Sequence, residues 1–302
     1  MPDAATGPVL RVQTVLYQND SSQIWRMLWG LVAAARAVRE QRNIGVVQLA
    51  IGDCSPAPRL TDDDVHALRE SAAESIGELT YEFFDANLGS SGGHNRLASA
   101  GTSDYLVVMN PDTYPAPRML VELLSGLDDP SVAIVEARQL PLEHPKLYDP
   151  VRGDTSWAST CCLVVRRSVF DAVDGFDHDH FPLYCDDVDF SWRVRLAGHR
   201  VIVAPLATIF HDKRPQAGVV WVASDVEVYH SLLGRLMLAT RYDRSDIFDE
   251  TVRWVTTSGP PKQKEALAEF RRRADLGEIP RPAPGADRVA QFIDGEYAVH
   301  RF

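Results

Sequence analysis

The sequence predicts an α/β fold: a mixed, mainly parallel sheet flanked by helices on both faces, followed by a helical tail. Three observations predict it. Strand-like apolar segments alternate with helical ones along residues 9–109. Each of those strands ends in a polar loop that contains Asp or Asn. The chain is 45% hydrophobic and 24% charged, as folded globular proteins are, and its 302 residues suffice for one large domain or two smaller ones.

Residues 9–17 (VLRVQTVLY) are β-branched and apolar and read as a strand. Residues 22–42 read as a helix: Ile24, Trp25, Leu28, Trp29, Leu31, Val32 and Ala35 fall near a 3.6-residue period, which makes Trp25 and Trp29 packing residues, and Ser21 or Ser22 is placed to cap it. The continuous apolar run 44–51 is that of a strand buried on both faces. A helix over 62–75, a strand over 79–84, a glycine-rich turn, a helix near 94–100 and a strand over 104–109 complete the alternation. In a parallel sheet of this kind ligands bind outside the carboxyl ends of the strands. Here those ends carry QNDSS, GDCS, DANLGSSGG and NPDT.

Further on, the pattern predicts helices over 117–127, 168–174 and 186–197 and strands over 132–138, 161–166 and 200–204, with a polar loop over 139–155. After Pro215 the character changes: residues 219–241 form one or two helices, 262–275 a charged helix, and 279–288 are rich in proline and glycine. A boundary near 215 therefore separates a core, 1–214, from a helical extension, 215–302.

A net charge of −11 argues against a nucleic-acid partner, which needs a basic surface. A free nucleotide is compatible with it when a metal ion offsets the phosphates. Cys54, Cys161, Cys162 and Cys185 form no CxxC pair, so they read as buried thiols of a reducing cytoplasm rather than as a disulfide or zinc framework. No signal peptide is visible, and no apolar stretch approaches the roughly 20 residues that span a bilayer. Arg271, Arg272 and Arg273 give segment 262–275 a basic end. That end reads first as a solvated helix face, with contact to an anionic membrane surface as the alternative.

The chemistry concentrates in five places. In NPDT (110–113), Pro111 forces a turn and Asp112 is left as a carboxylate at a strand's end, fit for a hard cation or simply for a β-turn. NLGSSGGHN (87–95) lets backbone approach a ligand, but matches neither a Walker A loop nor GxGxxG. DDVDFSWR (186–193) opens a helix with three acids. Asp186 suits the N-cap and Asp189 can pair with Arg193, yet three close acids repel unless a cation or proton intervenes, and one can serve as a general base. His211 follows the apolar RVIVAPLATIF and is either structural or a metal ligand; Lys213 and Arg214 beside it contact phosphate or solvent. Trp157 is a candidate to stack on a sugar, whereas Trp192, inside a helix, reads as core.

Taken in order, GDCS (52–55), NLGSSGGHN, NPDT, DGFDHDHF (174–181), DDVDFSWR and His211 resemble the family 2 glycosyltransferases, which have the GT-A fold, over about residues 10–214. The NPDT form resembles rhamnosyl- and galactofuranosyltransferases. The resemblance implies an inverting transfer from a nucleoside-diphosphate sugar, UDP- or dTDP-linked, to a hydroxyl of a glycan or lipid-linked acceptor. It implies that Asp53 faces the nucleobase or ribose, and that Asn87, Gly93 and Asn95 lie beneath the nucleoside. Asn110 then takes the place of the first Asp of a DxD motif. Asp112 and His211 hold Mg²⁺ or Mn²⁺, and Asp187 is the base, with Asp186 beside it. The expected place is the cytoplasm, with contact to the inner face of the membrane and self-association left open. Two rivals are weighed. A nucleotidyltransferase would need a basic glycine-rich loop near the N-terminus, and residues 17–24 (YQNDSSQI) lack Lys, Arg and Gly. A non-catalytic carbohydrate-binding protein of the same fold stays open as the alternative, with less reason to keep Asp112, Asp187 and His211 together.

Overall fold

A computed structural model describes residues 7–144, 146–212 and 223–298. Its centre is an eight-stranded sheet in the order β3-β2-β1-β4-β7-β6-β8-β5. The strands are β1 (Val9–Leu16), β2 (Val46–Asp53), β3 (Glu78–Phe83), β4 (Tyr105–Met109), β5 (Thr113–Pro115), β6 (Val132–Leu140), β7 (Cys162–Arg166) and β8 (Arg200–His211). β1 to β4 are mutually parallel, and β6 with β8 forms a second parallel pair. β7 runs antiparallel between β4 and β6, and β5 antiparallel on the outer edge of β8. The sheet is thus mixed and mostly parallel, as the alternation predicts.

The helices are α1 (Ser21–Gln41), α2 (Asp62–Ala72), α3 (Gly89–Ser99), α4 (Met119–Gly126), α5 (Arg167–Ala172), α6 (Asp186–Leu196), α7 (Asp225–Arg241), α8 (Ser245–Ser258) and α9 (Pro261–Leu276). α1 buries Ile24, Met27, Leu28 and Leu31 in the largest core cluster, with Leu10, Val12 and Leu120. The other face of the sheet buries Leu106, Val108, Leu163 and Val165 against Phe170, Phe176 and Phe190.

Several expectations change. α1 is capped by Asp20, whose N–H donates to Gln23 Oε1 at 3.1 Å, not by Ser21 or Ser22. Trp29 is 58% exposed; the apolar stripe of α1 is narrower than its composition suggested. The glycine-rich segment is not a turn before α3 but its first turns, because glycine at 93 lets the helix press on β1: a Cβ there would sit 2.8 Å from Val15 Cγ1. β8 runs well past residue 204. Its pairing with β6 shifts register between Ala204 and Thr208, and this bulge accommodates Pro205. β5 is too short to show in the periodicity, and α8, which buries Ile247, Thr251 and Val255 on one face, is not among the expected helices.

The helices after residue 223 share one buried cluster with α6: Trp192 and Val188 pack with Leu236, Met237, Leu267 and Phe270. In α9, Arg272 pairs with Glu269 and Glu278, and Arg273 with Glu269. Two of the three arginines of the basic end are therefore already neutralised. Among the described residues no helix is long and apolar enough to cross a membrane.

Candidate active site

A cavity of about 930 Å³ opens at the carboxyl ends of β1 and β4 and at the start of α6. β4 delivers the NPDT turn. Asn110 N–H donates to Cys161 O at 3.0 Å, and Thr113 Oγ1 donates to Asn110 O at 2.7 Å, so the turn is held from both sides. Thr113 pairs with His211 across β5 and β8, and Asp212 N–H donates to Asp112 O at 2.9 Å. This ladder brings His211 Nε2 to 3.3 Å from Asp112 Oδ2, although the two lie far apart in sequence. Sequence order alone could not show that convergence; the edge strand β5 creates it.

His211 is 6% exposed, and its Nδ1 lies 3.3 Å from Gln139 Oε1 and 3.2 Å from Cys161 Sγ. A proton on Nδ1, shared with Gln139, leaves the Nε2 lone pair facing a carboxylate. Those two acceptors repel unless a proton or cation lies between them. No group of three or more His, Cys, Asp and Glu side chains converges as a metal cluster among the described residues. A cation that takes most of its oxygens from a diphosphate and water needs only one or two protein ligands, and this pair fits that demand.

α6 begins at Asp186. Its N-cap is Cys185, in the left-handed region at φ 60, rather than Asp186. The three acids then part company. Asp189 is fully buried and spoken for: Arg193 Nε donates to it at 2.7 Å, Arg241 from α7 at 2.7 Å, and the Tyr242 hydroxyl at 3.2 Å. Asp186 is 5% exposed and Asp187 half-buried, and both line the cavity. Asp187 Oδ1 accepts the Val188 N–H at 2.9 Å.

The remaining sequence-predicted residues divide in two. Asn87 and Asn110 line the cavity. Asp53, Gly93 and Asn95 are not among its lining residues. Asp53 is wholly buried, and its carboxylate accepts from Ser55 N, Arg59 N and the Tyr81 hydroxyl at 2.7–2.9 Å, which folds the GDCSPAP loop. Asn95 forms a two-point clamp on Phe176, donating to its carbonyl at 2.7 Å and accepting its N–H at 2.9 Å. Trp157 is 1% exposed; its Nε1 donates to Tyr297 O at 3.1 Å and Lys146 lies over its ring, so it is core. Trp192, also buried, donates to Ser156 Oγ at 2.9 Å. Lys213 and Arg214 fall outside the described residues.

Sequence reasoning missed the wall that the tail provides. Val226, Glu227 and His230, on the first turns of α7, line the cavity, as does His144 from the 139–155 loop. That loop is fastened by a buried ion pair between Lys146 and Glu136. Burial, reinforced by Arg273, holds His230 below its ordinary pKa, and burial alone pushes His94 down to about 3, so both rings are neutral at pH 7. No spacing signal announced these residues.

No family model matches the chain. It is 27% identical over 151 residues to N-acetylglucosaminyl-diphospho-decaprenol L-rhamnosyltransferase of Mycobacterium tuberculosis, covering 38% of this chain and 49% of that protein. It is 26% identical over 236 residues to the pre-mycofactocin glycosyltransferase of the same organism, covering 71% of this chain and 46% of that protein. The chain spans about half the length of the curated relatives it matches. Among solved structures, a mannosyltransferase of Pyrobaculum calidifontis in complex with GDP-Man and Mn²⁺ superposes with a TM-score of 0.57 at 16% identity, over 92% of this chain and 78% of that one. The fold is that of GT-A glycosyltransferases, and the homologues and structural neighbours are glycosyltransferases.

Proposed function

We propose that this chain is an inverting glycosyltransferase that moves a sugar from a nucleoside-diphosphate donor to a hydroxyl of a glycan or lipid-linked acceptor. The observation that carries the reading is the meeting of Asp112, His211 and Asp187, from three distant segments, on one cavity at the sheet's carboxyl edge. In this reading residues 1–214 form the catalytic domain, and the 215–302 extension supplies its acceptor wall through Val226, Glu227 and His230. The reaction is placed in the cytoplasm, at the inner face of the membrane where the acceptor is lipid-linked.

Asn87 and Asn110 offer amides to the donor, while Asp53, Gly93 and Asn95 shape the floor under it. Asp112 and His211 would hold Mg²⁺ or Mn²⁺, which supplies charge stabilisation for the departing diphosphate. Asp187 takes the proton of the attacking hydroxyl. The hydroxyl oxygen forms a bond to the anomeric carbon as the bond from that carbon to the phosphate oxygen breaks on the opposite face, and the nucleoside diphosphate leaves with the electron pair. No covalent intermediate forms. A UDP- or dTDP-linked donor is the substrate class proposed.

A thermal-shift panel of UDP-, dTDP- and GDP-sugars, each with Mn²⁺ and with EDTA, tests the reading. A matched donor at 100 times its Kd stabilises the fold by about 2.7 kcal/mol. The expected result is stabilisation by one nucleotide class in Mn²⁺, lost in EDTA and in Asp112→Ala. No stabilisation by any nucleotide sugar would overturn it.

A further inference from the structure

Five carboxylates line the cavity (Asp112, Asp186, Asp187, Asp212 and Glu227), and among the described residues no Lys or Arg does. Asp212 is paired with Arg26 at 2.8 Å, and Asp112 faces His211. Asp186 and Asp187 stand side by side in the first turn of α6, where Asp187 Oδ1 accepts the Val188 N–H. Adjacent carboxylates repel, and a proton on one of them relieves that repulsion.

The geometry says which one. Asp186 is 5% exposed, and its Oδ2 is enclosed and meets no hydrogen-bond partner, a costly state for an anion but the natural place for a proton. The proton of the Ser91 hydroxyl goes to the Phe181 carbonyl. Burial first, and the charge of Asp187 second, push the Asp186 carboxyl up to about 8; the backbone N–H groups at the start of α6 and, after them, Ser91 pull the other way and lose. The other titratable groups on the cavity walls are His94 on α3, Glu227 and His230 on α7, His144, Tyr17, Tyr184, Cys54, Cys161 and Cys185, besides Asp112, Asp212 and His211.

We propose that Asp186 is a neutral carboxylic acid at neutral pH, its proton held on the enclosed Oδ2, so that Asp187 alone carries the charge of the pair and takes the proton of the acceptor hydroxyl. The second half of the proposal rests on the glycosyl-transfer reading; the protonation of Asp186 does not.

The test is the pH dependence of unfolding for the wild type and Asp186→Asn, which needs no substrate. An acid whose pKa is raised on folding binds its proton in the native chain between about pH 4 and 8 and releases it in the unfolded one. Stability therefore falls as pH rises through that window, by up to about tenfold per pH unit in the folding equilibrium constant. Asp186→Asn removes this slope, so its advantage over the wild type should widen from pH 5 to pH 8. A difference that stays constant across that range overturns the proposal. Infrared spectra of protein carrying ¹³C-carboxyl aspartate give a second readout. A protonated-carboxyl band at pH 7 in the wild type, absent in Asp186→Asn, is expected, and its absence in both overturns the assignment.

Discussion

Arg241 ties the tail to α6, and replacing it with Met should be among the most damaging changes outside the cavity. One arm of its guanidinium donates to Asp189 at 2.7 Å and the other pairs with Asp177; Arg241 is 12% exposed at its side chain and Asp189 fully buried. Breaking a buried pair by removing one partner costs about 3–5 kcal/mol. The lower end applies, because Asp189 keeps Arg193 and the Tyr242 hydroxyl and Asp177 keeps His180. About 3 kcal/mol corresponds to a fall in Tm of about 5 °C for a chain of 302 residues. Lys at 241 should recover less than half of that, since one ammonium cannot reproduce the fork that reaches two carboxylates. The loss also has a pH signature. Burial raises the Asp177 carboxyl, but His180 and Arg241 outweigh it and hold the group well below the ordinary carboxylate range. A depressed acid contributes stability above its unfolded pKa, and that contribution disappears as pH falls. The gap between wild type and variant should therefore narrow below about pH 4. Calorimetry or urea unfolding at several pH values measures it. A loss under about 1 kcal/mol, equal at all pH, would refute the reasoning.

Gly93→Ala places a methyl 2.8 Å from Val15 Cγ1 and should cost about 1–3 kcal/mol by urea unfolding, with Val15→Ala in the same chain restoring most of it. Asp53→Ala removes three hydrogen bonds to a buried carboxylate and should cost at least about 1.5–3 kcal/mol. Unchanged stability together with lost nucleotide affinity would instead put Asp53 on the ligand. Asp112→Ala should abolish the Mn²⁺-dependent part of nucleoside-diphosphate binding in calorimetry while leaving unfolding midpoints near wild type. Retained Mn²⁺ dependence would remove Asp112 from the metal.

Periodicity in the sequence located β1, β2 and β4, because these segments are apolar runs bounded by strong turn chemistry. It could not locate β5, which is three residues long and exists only as a partner for the extended β8. It read the glycines of 89–93 as a turn because glycine disfavours helices; close packing of α3 on β1 reversed that preference. In the site, Asp112, Asp187 and His211 were legible because each follows a strand or opens a helix in an ordered motif. Val226, Glu227, His230 and His144 were not, since they reach the cavity only through tertiary packing of α7 and the 139–155 loop. Asp53 shows a limit of another kind: its position in a motif was visible, but not that the GDCSPAP backbone would use its carboxylate first.

The central claim is that Asp187 is the base of a glycosyl transfer in this cavity. Asp187→Asn keeps the size of the side chain and removes its basicity, and general-base catalysis is typically worth about 10²–10⁴ in rate. The decisive measurement is single-turnover transfer from a nucleoside-diphosphate sugar that binds, followed by rapid quench for wild type and Asp187→Asn alongside titration of the same donor. The transfer rate should fall by that factor, with donor affinity near wild type. Transfer at the wild-type rate by Asp187→Asn would contradict it.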